Sequence, residues 1–211
     1  MQEKGKRMNK WVKRALWFVG IITVIVVAAL IFVNAYIGKS KPIVTGELAA
    51  GFLDADVTVV RDEVGVPHLI AESDADLYRA QGYVQAQDRL FQMDMARRQA
   101  SGRLSEVIGE AAVDTDKHFR TFSLRVAAEA SYDGYSDASK EVLHLFAEGV
   151  NAFIEDAKQS GKLSYEFKVL GYEPEPWTAI DSLTIGKYMA YDLGGNWDTL
   201  AVRHWALNHL K

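Results

Sequence analysis

Nineteen consecutive residues without a charge, ALWFVGIITVIVVAALIFV from Ala15 to Val33, constrain this chain more than any other feature. With Asn34 to Ile37 the run reaches the roughly 20 residues that a helix needs to cross a bilayer. Lys4, Lys6, Arg7, Lys10, Lys13 and Arg14 precede it. Cationic flanks favour the cytoplasm, so that end stays inside and everything beyond Lys39 lies outside. Trp11 and Trp17 on one side and Tyr36 on the other suit the interfacial belts. The sequence thus predicts a cytoplasmic basic segment at 1–14, a transmembrane anchor or uncleaved signal at 15–37, a linker at 38–56 and a folded domain at 57–211. A second reading is a cleaved secretory signal with Val33-Asn34-Ala35 as its site, although the run exceeds the usual apolar region of about 7–15 residues. A buried core helix is the third reading. Under the first the domain is held outside the cell membrane by a single span, and under the second it is secreted.

The net charge hides a split. Residues 1–41 hold eight Lys or Arg and one Glu, so totals of 24 basic and 28 acidic residues leave 16 and 27 for the remainder, a net of −11. An acidic body argues against nucleic acid as a partner, because phosphate binding needs a basic surface. The absence of cysteine excludes disulfides, thiolate metal sites and a Cys nucleophile from this chain. With 49% hydrophobic residues, the chain can still fill a core.

Beyond the linker, VTVVR at 57–61 and VGVPHLIA at 64–71 are β-branched runs joined by Asp62-Glu63, which predicts a hairpin. Pro67 cannot donate to a ladder and places the second strand at an edge. Ser73 with Asp76 three residues on is a capping pattern, and a helix is expected from Asp74 to about Ser101, stopped by Gly102. Two rows of that helix are apolar but studded with Gln81, Gln87, Asp88 and Asp94, so it is expected to contact structure on more than one side. Shorter helices are expected at 103–109 and 116–131. The run from Ala138 to Gln159 is the cleanest amphipathic helix, with Val142, Leu145, Phe146, Gly149, Phe153 and Ile154 on one face. Residues 164–177 read as an irregular connector, Asp181 as the cap of a helix toward Leu193, and 198–210 as a final helix.

Local catalytic signatures are lacking: there is no H-E-x-x-H, no nucleophile elbow and no glycine-rich dinucleotide turn. Gly38-Lys39-Ser40 imitates the end of a phosphate loop, but that pattern needs a glycine where Val33 stands. The histidines at 68, 118, 144, 204 and 209 are scattered.

Gly65-Val66-Pro67-His68, then GYVQAQDRLFQMDMARRQASGRLSEVIG at 82–109, then EFKVLGYEPEPW at 166–177 with Asp181 after it, together resemble the α chain of the penicillin acylase family. The resemblance covers about 57–210. It implies a mostly helical α+β chain, the α-chain part of an αββα N-terminal-nucleophile hydrolase sandwich that a β chain from the same precursor completes. It also implies hydrolysis of a linear amide, with the side-chain amide of β-lactams and acyl-homoserine lactones as candidate substrates. The nucleophile, its base and the oxyanion donors would then belong to the β chain, leaving no catalytic residue in this one. Gln85, Gln87, Asp88 and Arg89 would be buried against the β chain and the hairpin, with water on a broad surface helix as the bland alternative.

The segment KYMAYDLGGNW at 187–197 is similar to the family's helix along the acyl pocket. Met189 matches a pocket methionine. Asp192 and Leu193 stand where some penicillin G acylases have an Arg and a Phe, which implies a different acyl group, such as a fatty chain. Met189 and Leu193 are thus the substrate-pocket candidates, with ordinary core packing as the alternative. The family's calcium ion takes one α-chain Glu, which falls here on Thr199, so the neighbouring Asp198 is the candidate metal ligand. The rival reading of the whole chain is a membrane-anchored, non-catalytic helical module derived from a truncated acylase.

Overall fold

The computed structural model describes residues 9–38, 41–195 and 197–210, the side chains of Tyr36, Trp197 and Asp198 excepted. The chain divides into two units, residues 1–41 and 42–211.

The first unit is a helix, α1 (Lys10–Gly38). Its apolar stretch spans Lys10–Ala35, and all of its described side chains are exposed. Bulky apolar groups cover its whole circumference, as on a helix meant for an apolar surrounding and unlike the one-sided stripe of a surface helix. This fits an anchor or a signal, the first two readings of the segment.

The second unit opens with an antiparallel hairpin, β1 (Thr58–Arg61) and β2 (Pro67–Ile70), in the register Thr58↔Ile70 to Arg61↔Pro67. The second strand begins three residues later than the sequence predicts. The Asp62 carboxylate draws the N–H groups of Val64 and Val66 into a tight loop, and Gly65 sits at φ +86° within it. A side chain at that glycine would be strained. Pro67 opens β2, where its missing donor costs nothing to the ladder.

The long helix α2 (Asp74–Ala100) follows, capped by the Ser73 hydroxyl. It crosses α6 (Asp137–Gln159), and two glycines set the distance of closest approach. A Cβ on Gly82 would lie 2.1 Å from the Phe146 carbonyl oxygen, and one on Gly149 would lie 1.8 Å from that of Arg79. The helices therefore touch backbone to backbone. Around the crossing lies the core of Ala86, Leu90, Met93, Val150, Ile154, Leu163, Phe167 and Trp177. Burying each of its large side chains contributes roughly 1.5–3 kcal/mol.

Between these helices run α3 (Ser105–Ile108), α4 (Val113–Phe122) and α5 (Leu124–Tyr132). The single helix expected at 116–131 is broken by Ser123, which takes a left-handed conformation at φ 56°. The connector expected at 164–177 contains a short helix, α7 (Tyr165–Leu170). Tertiary packing stabilises it, because Phe167 is buried edge-on against Phe91. Helix α8 (Ala179–Leu193) is capped by Thr178, with Asp181 as the reciprocal third residue of a capping box and not the cap itself. Helix α9 (Trp197–His209) ends the described chain.

The fold also reaches back into the expected linker. Phe52 stacks on Tyr83 at 5.0 Å, and the N–H groups of Asp54 and Ala55 donate to the buried Asp76 carboxylate at 3.0 and 3.1 Å. The Asp54 N–H, working against burial, holds the Asp76 carboxyl below the usual carboxylate range.

Candidate functional site

The candidate residues and the main charge cluster of the second unit fall in three places: the polar middle of α2, its buried polar C-terminal end, and the outer face of α8.

In the middle of α2 the four expected interface residues divide. Gln87 and Asp88 are half-buried and meet the hairpin. Arg61 of β1 grips the Asp88 carboxylate with two 2.9 Å hydrogen bonds and reaches the Gln87 amide oxygen at 3.4 Å. The same guanidinium donates to the Gly65 carbonyl, tying the turn to the helix. Gln85 and Arg89 are exposed, and Arg89 meets Gln92 of its own helix at 3.3 Å. Arg89 is also where α2 kinks, at φ −143° and ψ 16°. Asp88 therefore pairs with Arg61 of the hairpin.

At the C-terminal end of α2 lies a charge cluster that sequence spacing alone did not assign. Asp94 is fully buried and accepts from Arg97 at 2.8 Å, from Arg98 at 2.9 Å and from the Tyr172 hydroxyl at 2.8 Å. Arg97 continues to the carbonyls of Glu175 and Pro176 and lies over the Trp177 ring. Arg98 extends to Glu106, and Arg103 clasps both Glu106 and Glu175. Arg125 of α5 reaches Asp181 at 2.8 Å. The Arg103 guanidinium holds the carboxyls of Glu106 and Glu175 below the usual range, while burial and the Asp94 contact push the Tyr172 phenol up. Asp116 accepts the N–H groups of Leu104 and Ser105 that open α3; its carboxyl lies low because these bonds and the Ser105 hydroxyl outweigh burial. The available signal was Asp94 three and four residues before Arg97 and Arg98, followed far along by EPEPW. What spacing omits is that residues 172–177 wrap over them.

On α8, Met189 is 55% exposed and Leu193 83% exposed, four residues apart on one face. This does not match ordinary core packing within the chain. Asp198, the metal candidate, has a side chain outside the described residues. Among the described residues no group of three or more His, Asp or Glu could hold a metal ion. The histidines meet tyrosine, carboxylate, amide or backbone groups: His118 with Tyr191 at 2.8 Å, His144 with Tyr132 at 2.7 Å, His68 with Asp62 at 3.6 Å. His204 meets Asn208, and His209 meets the Trp205 carbonyl.

A family model, penicillin amidase, matches residues 56–210, from just before the hairpin to the end of α9. This chain belongs to the penicillin amidase family. It is 36% identical over 156 residues to penicillin acylase 2 proenzyme of Pseudomonas sp. strain SE83, covering 74% of this chain and 20% of that protein. It is 34% identical over 157 residues to the acyl-homoserine lactone acylase QuiP of Pseudomonas aeruginosa, covering 74% of this chain and 18% of that one. The chain thus spans about a fifth of the length of the curated relatives it matches. Among solved structures, it superposes on thermostable penicillin G acylase from Alcaligenes faecalis with a TM-score of 0.62 and 33% identity. That match covers 73% of this chain and 84% of the solved chain. The mostly helical fold is therefore a region of an N-terminal-nucleophile hydrolase fold, as the family resemblance implies.

Proposed function

We propose that this chain is the pocket-walling and scaffolding part of an acylase that hydrolyses a linear amide to a carboxylic acid and an amine. The observation that carries this is the match to 84% of one separate chain of a solved penicillin G acylase, together with a relative named as a proenzyme. Such a match supports a second chain from the same precursor, which would bring the N-terminal nucleophile. Candidate substrates are β-lactams with a side-chain amide and acyl-homoserine lactones; the relatives' names contain the words penicillin and acyl-homoserine lactone.

The exposed Gln85 and Arg89 on α2 and the exposed β-branched residues Val59, Val60 and Ile70 of the hairpin would lie against that second chain. Met189 and Leu193 would face the acyl group. Calcium takes about six to eight oxygens; since the described residues offer no cluster for it, Asp198 would supply at most one ligand and the partner chain the rest. The helix α1 would tether the enzyme outside the membrane, or be removed on secretion.

The test is to express the complete coding sequence and measure acid release from penicillin G, from a fatty acyl β-lactam and from a long-chain acyl-homoserine lactone. Hydrolysis of a linear amide by a two-chain product is expected. A folded product inert toward all three would count for the non-catalytic module instead.

A further inference from the structure

The last turns of α8 are held from behind by rings. Met189 and Leu193 face outward, whereas Tyr188 and Tyr191, three residues apart, share the opposite face. That rear face is continuous with the buried Asp181 and Thr184 earlier in the helix. Beyond Thr184 its anchoring passes to side chains of other helices. The Tyr188 hydroxyl receives the Gln99 amide of α2 at 3.3 Å, and its ring tilts on Phe119 of α4 at 5.6 Å. Tyr191 packs against Phe119 at 5.7 Å and Phe122 at 4.8 Å, and its hydroxyl meets His118 Nε2 at 2.8 Å. The His118 ring in turn lies on Phe119 and Phe122 at 5.2 and 4.9 Å. Directly after Leu193 come Gly194 and Gly195, which add no side chain to brace the helix end.

We propose that His118 is a positioning residue: by bonding Tyr191 it fixes the last turn of α8, and so sets how deep an acyl chain can run past Met189 and Leu193. This rests on the pocket reading of α8 given above. Tyr191 lies between the exposed pair in sequence and on the opposite face, and it makes the hydrogen bond by which α4 can hold that turn. A rigid turn gives a pocket of fixed length. A released turn lets Leu193 swing and blurs discrimination between acyl lengths. His118 touches no reacting atom in this arrangement, so its effect falls on substrate fit and not on the chemical step.

The experiment uses the whole enzyme from the complete coding sequence, with straight-chain acyl amides of four and ten carbons as probes. In Tyr191→Phe, which keeps the ring and loses the bond, the ratio of kcat/KM for the two probes should change about fivefold, the scale of one hydrogen bond. The change should appear in KM with kcat little altered. His118→Ala should shift the ratio further, toward about tenfold, since ring contact is lost as well. His118→Gln, which keeps a hydrogen-bonding side chain, should stay closer to the parent than His118→Ala does. A variant that merely destabilises the fold lowers both probes together and leaves the ratio alone. Hydrolysis with an unchanged ratio in both Tyr191→Phe and His118→Ala overturns this inference alone. A folded parent that hydrolyses neither probe, nor the amides named above, overturns the proposed function and this inference with it.

Discussion

Beyond its buried first-turn Asp76, helix α2 interrupts its apolar rows with polar residues at its middle and at its C-terminal end, and the two are treated differently. At Asp94–Arg98 each charge is sealed within this one chain, by Tyr172, by the carbonyls of 175 and 176 and by Glu106. At Gln85–Arg89 the closure is half made: Arg61 secures Gln87 and Asp88, while Gln85 and Arg89 stay exposed. A buried charge without partners is costly, so the first site must be complete for the chain to fold. The second can wait for a partner, because its open groups are still hydrated. Polar residues inside a helix pattern thus divide into those that knit one chain and those left open, which the proposed function assigns to a seam with a second chain.

This contrast can be broken by mutation. Asp94→Ala removes the fully buried acceptor that Arg97, Arg98 and Tyr172 share, leaving each with fewer partners in a buried site; it should destabilise the chain by about 3–5 kcal/mol in urea denaturation. Gly149→Ala should cost about 1–3 kcal/mol or more, because the added methyl forces α2 and α6 apart at their backbone contact, outweighing the usual helix gain over glycine. Arg61→Ala, at the half-made site, should cost about 1–2 kcal/mol, since water can still reach Asp88. Gln85→Ala should fall within about 0.5 kcal/mol of the parent chain and yet weaken binding of a second chain. Equal effects for Asp94→Ala and Arg61→Ala would erase the distinction.

The sealed region also has a pH signature. Glu106, Glu175 and Asp116 all titrate lower folded than unfolded, so their contribution is in place above the ordinary carboxylate range and is lost as pH falls through their lowered values. Urea midpoints should hold steady from pH 7 to about 5 and then decline. Glu106→Gln should make that decline shallower. A midpoint that rises on acidification would contradict the assigned sign.

Much of the fold was legible where local chemistry decides it. Ser73 and Asp76 mark the start of α2, Gly102 its end, and the apolar periodicity of 138–159 marks α6 within a residue. Legibility failed where distant contacts decide. Ser123 is not a residue that announces a left-handed break, and the break splits one expected helix into α4 and α5. Residues 165–170 form a helix too short for periodicity to reveal, held by the burial of Phe167. The Asp94 cluster escaped because the partners of Arg97 lie almost eighty positions away. Met189 and Leu193 came from resemblance alone; periodicity offers no reason to set them apart from core residues. In the fold both are exposed on the outer face of α8.

The central claim is that this chain supplies walls and a second chain supplies the attacking group. Treating the complete enzyme with a sulfonyl fluoride and locating the adduct by mass spectrometry tests it most directly. The account predicts label on the N-terminal residue of the partner chain, loss of amide hydrolysis in step with labelling, and no adduct within residues 1–211. An adduct on a residue of this chain that tracks the loss of activity would contradict it.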